Sequence, residues 1–175
     1  MKRKIFVQHY VSPCGELLLG SLGEQLCLCN WLVEKHPGRV DRRLRERLEA
    51  EFADGATDTT REAARQLDAY FAGELTAFSL PLLCAGSDFQ MRVWDLLRDI
   101  PYGATLSYGE MARRLGCPMA VRAVANANGA NAISLFLPCH RVVGADGSLT
   151  GFGGGLAAKR YLLELEQRVL RRRLF

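Results

Sequence analysis

No apolar run in this chain of 175 residues approaches the roughly 20 needed to cross a bilayer, so no membrane span is expected. The opening MKRKIFVQHYVSPCG lacks the long apolar stretch and small-residue cleavage site of a secretory signal, and a cytoplasmic protein is expected. Histidine is scarce: His9 and His36 have no companions at ligand spacing. Cys27 and Cys29 would share one face of a strand, but no second pair completes a tetrahedral set, so no metal site is expected. Internal repeats, low-complexity tracts and cofactor motifs are also missing, which excludes solenoid and linker-like architectures.

What is present has the makeup of an ordinary globular protein, with 49% hydrophobic and 24% charged residues. The length suits one good core or two small ones. The formal net charge of +4 and pI near 8.8 permit a polyanionic partner without demonstrating one, because total charge says nothing of where charge sits. In a reducing compartment the six cysteines read mostly as small buried hydrophobes, not as a disulfide framework.

From Ile5 to Val33, short apolar runs separated by Ser12-Pro13-Cys14-Gly15 and Gly23-Glu24-Gln25 predict strands joined by tight turns. Leu44, Leu48 and Phe52 recur at helical spacing, with Arg42, Arg43, Arg45 and Arg47 on the wet face. A second helix is expected from Thr60 to Ala72, ended by Gly73. Ser87 and Asp88 supply an N-cap for a helix carrying Val93, Trp94, Leu97 and Ile100, so the boundary between two lobes is placed near 85, giving 1–85 and 86–175. YGEMARRLG and MAVRAVANAN, joined by Gly116-Cys117-Pro118, fit a helix-turn-helix. A loop-rich stretch from Gly129 to Gly155 precedes a last helix, Leu156 to Gln167, expected to turn Leu156, Leu163 and Tyr161 inward, before the basic tail VLRRRLF.

The segment Pro138-Cys139-His140-Arg141-Val142 sets a potential thiolate beside an imidazole and a guanidinium. A free thiol titrates near pH 8.5 and needs positive charge or a base nearby to act as a nucleophile at neutral pH. Adjacent residues meet only if the backbone turns, which Pro138 favours. Alone, such a pair is more often structural than reactive.

The run IPYGATLSYGEMARRLG, then RAV, PCHRV and GFGGG followed by a Lys and LLELE, is much longer than that pair. Over roughly residues 87 to 167 it resembles the O6-alkylguanine-DNA alkyltransferase family. The N-terminal lobe is similar in outline, through its SPxG hairpin and size. The resemblance implies an α/β fold of two lobes: a ribonuclease-H-like antiparallel sheet with helices, and a mostly helical lobe with the helix-turn-helix. It implies irreversible, single-turnover transfer of an alkyl group from O6-alkylguanine, and less surely O4-alkylthymine, in double-stranded DNA to Cys139. The partner implied is lesion-bearing DNA, bound through the minor groove with the base flipped out, by a monomer without cofactor. His140 corresponds to the base that draws the thiol proton through a water, Glu166 to the acid that orients it, and Asn131 to the side chain bracing the turn. Tyr108 corresponds to the donor to guanine N3 and Arg122 to the arginine that fills the vacated stack. Ser107, Ala123, Val142, Phe152 and Gly153 fall at DNA- or base-contacting positions, the carbonyls of Cys139 and Val142 facing the exocyclic amine and the Gly153 amide facing O6.

Elementary chemistry agrees. An O6-alkyl group inside a duplex is out of reach of in-line attack, so the base must leave the stack. Ala120, Ala123, Ala125 and Ala127 allow a helix to approach a groove closely, and Gly153, Gly154 and Gly155 let backbone amides near a flat base. Taken singly, each residue has a plainer reading: Tyr108 as packing, Glu166 as surface charge, Arg122 as a solvated cation, Asn131 as a turn former. The chain departs from the family pattern at Phe152, at Ala132 after Asn131, and at Val124-Ala125. Ala132 lacks a proline ring, so a looser loop ahead of Ser134 is expected. Two other functions remain to be weighed: a lesion-binding protein without chemistry, which in this family lacks the acceptor cysteine, and a Cys-His-acid hydrolase, which gives no reason for the helix pair.

Overall fold

The computed structural model describes residues 2–174. Its N-terminal part opens with β1 (Arg3–Ser12), β2 (Gly15–Leu22) and β3 (Gln25–Trp31), a meander of antiparallel strands. The first turn is closed by Ser12, whose hydroxyl accepts from the Cys14 amide at 3.2 Å and donates to the Gly15 carbonyl at 2.5 Å. Ile5, Val7, Leu17 and Leu19 alternate inward, as period-two patterning requires. Helix α1 (Arg39–Leu48) then leads to β4 (Ala50–Asp54), which joins the far edge, giving the order β3-β2-β1-β4.

Two expectations change here. Phe52 does not continue α1: Glu49 takes a left-handed conformation (φ 49°) and stops the helix, and Phe52 lies on β4, opposite Ile5. Its helical spacing from Leu44 and Leu48 is coincidental. The sheet is antiparallel except at this strand, which runs parallel to β1 after the α1 crossover. The arginine face of α1 is also not wholly wet. Arg43 donates to the carbonyls of Ala85 at 3.0 Å and Ala130 at 2.5 Å and lies over the Trp94 ring, tying α1 to the C-terminal half.

Helix α2 (Asp58–Phe71) packs across β1, β2 and β3, started by a capping box of Thr57 with Thr60 and burying Ala63, Leu67 and Tyr70. A connector follows. It does not leave the β3 edge bare, since Leu26 exchanges backbone bonds with Pro81 and Leu83 at 2.9 Å. Further along that edge, Cys29 exchanges bonds of 2.8 Å with Ala132 and Ser134. An edge strand that would otherwise invite aggregation is thereby used to anchor the segment ahead of Cys139.

Helix α3 (Asp88–Leu97) begins at the expected Ser87 cap, completed by Gln90, and buries Val93, Trp94 and Leu97. Strand β5 (Leu106–Ser107) leads into α4 (Tyr108–Arg114), and a turn through Gly116 (φ 77°) into α5 (Val121–Gly129), the expected helix pair. A 3₁₀ turn, Cys139–Arg141, precedes β6 (Val142–Val143), which pairs parallel to β5. Helix α6 (Leu156–Leu174) closes the fold, longer than expected and continuing through the basic tail. Its buried face carries Ala158, Lys159, Leu162, Leu165, Glu166 and Val169, whereas Leu156 is exposed and Tyr161 and Leu163 are half-buried. The expected phase was wrong because two charged residues occupy the inner face. Among the described residues no helix is long and apolar enough to cross a membrane.

Candidate active site

Asn131 shapes the loop that presents Cys139. Its side-chain amide donates to the Leu137 carbonyl at 2.9 Å while its Oδ1 accepts from the Ile133 amide at 2.9 Å, closing a tight bend. Within the bend Leu135 takes φ 75°, so the apolar run Ile133 to Leu137 forms a buttressed turn and no strand. The 3₁₀ turn that follows buries Cys139, His140 and Arg141 together. The Cys139 carbonyl accepts from the Val142 amide and, at 3.3 Å, from Asn128 Nδ2 of α5.

Behind the thiol lies a closed polar network on one carboxylate. Glu166, fully buried on α6, accepts from His140 Nε2 at 2.7 Å and from Arg141 at 2.9 and 3.1 Å. It also accepts from the Gly103 amide at 2.9 Å and from the Tyr70 hydroxyl at 2.7 Å. Burial would raise this carboxyl, but the bonds and charges of His140 and Arg141 outweigh it and hold the group at about 2. Burial lowers the His140 imidazole below its ordinary value despite the Glu166 bond, so the ring is neutral near pH 7. A neutral ring facing a carboxylate carries its proton on Nε2, which leaves Nδ1 as the basic atom. Nδ1 is buried and has no hydrogen-bond partner among the described residues.

Arg141 does not face the thiol. Its guanidinium is spent on Glu166 and on the Ile100 carbonyl at 2.8 Å, so the electropositive setting anticipated for Cys139 comes instead from Lys159. Burial pushes the Cys139 thiol above its ordinary value, opposed by hydrogen bonds from Asn131 and Ser134 and by the charge of Lys159. At rest the sulfur is therefore a thiol, and a base must remove its proton before attack. Lys159 itself is buried, donates to the Thr150 carbonyl at 2.9 Å and lies 5.8 Å from the Tyr108 ring centre.

In front of the thiol is a cleft lined by Asn30, Trp31, Asn128, Ser134, Phe152 and Gly153, opening toward a wider groove of about 550 Å³. That groove brings together Tyr108, Arg122, Phe152 and Gly153 with Lys35, His36 and Arg39 of the N-terminal part. Tyr108 is half-buried, its hydroxyl donating to the Thr150 carbonyl at 3.3 Å, while Arg122 and Ala123 are exposed on α5. Ser107 spends its hydroxyl capping α4, accepting from the Glu110 amide at 3.0 Å. Val142 is buried beside β5, at the rear of the turn. The site residues thus fall into three sets: Asn131, Cys139, His140 and Glu166 around the turn; Tyr108, Arg122, Phe152 and Gly153 around the groove; and Ser107, Ala123 and Val142 outside both. Among the described residues no group of three His, Cys, Asp or Glu is arranged to hold a metal ion.

Comparison with known proteins finds a match in both halves of the chain. Residues 5–84 match the ribonuclease-like domain of 6-O-methylguanine DNA methyltransferase, and residues 88–168 match its DNA binding domain. The methylated-DNA–protein-cysteine methyltransferase of Methanosarcina acetivorans is 45% identical over 157 residues, 90% of this chain and 95% of its own. The chain belongs to the 6-O-methylguanine DNA methyltransferase family. The Mycobacterium tuberculosis protein of the same name is 60% identical over 105 residues, a span covering 60% of this chain and only 64% of that relative. A structure of Mycobacterium tuberculosis OGT in complex with DNA superposes with a TM-score of 0.84 at 44% identity, covering 94% of each chain.

Set within this methyltransferase family, several contributors carried no local signal. Tyr70 reaches Glu166 across 96 positions of sequence, and Trp31 enters the cleft from β3. Neither is recognisable from its neighbours in the chain. Asn128 and Ser134 lie inside the segment that drew attention, but only the fold turns them toward Cys139. Lys159 had one usable cue, its place between the glycine run and LLELE.

Proposed function

We propose that this chain repairs DNA by transferring the alkyl group of O6-alkylguanine irreversibly to Cys139, acting once per molecule, with O4-alkylthymine as a second candidate substrate. The observation that carries this reading is a buried thiol beside an imidazole whose Nε2 is committed to Glu166 and whose Nδ1 is free, at the foot of a groove flanked by a helix pair. In the step, the thiol proton passes to His140 Nδ1 through a bridging water, and the sulfur forms a bond to the alkyl carbon. The carbon–O6 bond breaks with its electron pair leaving on the guanine, which recovers a proton. Tyr108, turning its hydroxyl from Thr150 to the ring nitrogen N3, offsets the charge that develops on the base.

Base and nucleophile are both side chains of this chain, so the reading assigns no resident cofactor or metal. DNA is placed along α4 and α5 with its minor groove toward the protein. Arg122 fills the stack vacated by a flipped guanine, and Gly153 and Phe152 line the base. We assign lobes of 1–85 and 86–175 and expect a cytoplasmic monomer. A Cys-His-acid hydrolase would pass an acyl group through a thioester that water cleaves and would have no use for the helix pair. An alkyl group on Cys139 is instead held as a thioether, from which the sulfur is a poor leaving group. A lesion binder without chemistry would not need the His140–Glu166 pair.

With methylated duplex in excess, repair is expected to plateau at one equivalent of active protein, with one methyl on the peptide holding Cys139 by mass spectrometry. Cys139→Ser is expected to remove transfer while leaving duplex affinity within a few-fold. Product continuing well past one equivalent, with unmodified protein recovered, overturns the proposal.

A further inference from the structure

The cleft beside Cys139 is far smaller than the groove it opens onto: about 20 Å³ of room against about 550 Å³. The tighter space lies at the sulfur, so a larger group carried on O6 meets its walls before a methyl does. One wall of that space comes from the N-terminal sheet. Trp31, at the end of β3, is 3% exposed and meets Phe152 edge-on, with ring centres 5.6 Å apart and planes at 68°. Its ring also sits where a side chain on the glycine loop would stand, since a Cβ added at Gly154 would lie 2.5 Å from it. A Cβ at Gly15, in the β1–β2 turn, would likewise lie 3.1 Å from the ring. The indole is thus wedged between the β1–β2 turn and the loop over the acceptor. Among the described residues its N–H is buried without a hydrogen-bond partner, so packing holds the ring in place.

We infer that Trp31 is a specificity-determining residue that sets the upper size of the alkyl group reaching Cys139, admitting methyl and retarding branched, long-chain or aromatic groups. The inference rests on the alkyl-transfer reading above. The base itself occupies the wide groove; only the group carried on O6 enters the narrow space, so discrimination falls on the alkyl group. A wall of this kind acts by exclusion, because an indole held between two glycine-bearing turns cannot retreat without displacing one of them.

The test uses the full chain and four duplexes carrying O6-methyl-, ethyl-, butyl- and benzylguanine, with single-turnover rates for each. The unaltered protein is expected to lose at least about tenfold in rate from methyl to benzyl. Trp31→Leu deletes the ring without breaking a hydrogen bond, and is expected to raise the benzyl-to-methyl ratio by about tenfold or more, with Trp31→Phe in between. Taking the ratio within one preparation cancels differences in folded fraction. An unchanged ratio in Trp31→Leu overturns the inference. A flat rate across the four alkyl groups in the unaltered protein also overturns it, and needs no variant to fold. Failure of the underlying reading looks different: no transfer from the methylated duplex at all.

Discussion

Behind Cys139, the Glu166 carboxylate is enclosed and supplied with donors from Tyr70, Gly103, His140 and Arg141. In front of it, Arg122 stands exposed on α5, and among the described residues its side chain makes no hydrogen bond or ion pair, with Met119 exposed at the turn before it. The two regions differ in when their interactions are formed. The inner network is completed by folding, so its charges pay their desolvation before substrate arrives and the imidazole keeps one tautomer. The outer face is left unsatisfied, and in the proposed function DNA supplies its missing partners. Reactivity is therefore a property of the folded chain, recognition a property of the complex.

The sharpest way to break that contrast is to change the inner carboxylate. Glu166→Gln leaves Arg141 buried without its counter-charge, and is expected to cost about 3–5 kcal/mol of stability. It should also slow transfer by about 10²–10⁴-fold, without lowering the plateau reached by folded protein. Denaturant unfolding and single-turnover rates check the two effects separately. If activity fell with no loss of stability, the network would not be a product of folding.

Acid should dismantle the same region next. The Glu166 carboxyl and the His140 imidazole both titrate lower in the folded chain than in the unfolded one. The unfolded state then binds more protons as pH falls, and stability is lost in that direction. The loss begins as pH drops below about 6.5, where an unfolded histidine protonates. It deepens between the ordinary carboxyl value of 4.5 and about 2, where Glu166 is finally neutralised. The carboxyl accounts for up to about 3 kcal/mol. A urea midpoint that stayed level from pH 7 to pH 4 would contradict this assignment, and Glu166→Gln should flatten the lower part of the curve.

The smallest effect on the fold belongs to the outer face. Arg122→Ala is expected to change stability by less than about 0.5 kcal/mol. Repair of methylated duplex should slow by about 10–100-fold, while transfer from free O6-methylguanine, which needs no extrusion from a stack, stays near normal. Equal losses on both substrates would place Arg122 in the inner region. Duplex affinity should fall as salt rises, because phosphate contacts release counterions.

The same contrast accounts for what could be read along the chain. Features fixed by near neighbours were legible: the turns of the meander, the Ser87 cap of α3, the two helices split at Gly116, and the PCHRV segment itself. Features fixed by distant partners were not. Strand β4 is short and without β-branched residues, and is a strand because β1 offers it an edge. The phase of α6 was misjudged because Lys159 and Glu166 face inward, which is tolerable only where Thr150, His140 and Arg141 await them. Tyr70 and Trp31 look like ordinary core aromatics until the sheet and α2 are set against the C-terminal half.

The bond from Tyr70 to Glu166 spans 96 positions, and that from Gly103 to Glu166 spans 63. Contacts at such separation repay the entropy of closing their loops only after the nearer ones are in place, so they come late in folding, behind the hairpins and helices. A chain that has regained its secondary structure is then still chemically mute, its thiol without a prepared base. On the proposed single-turnover reading, the amount of alkyl accepted during refolding counts the molecules that have reached the native state, and it should lag behind the recovery of helical signal.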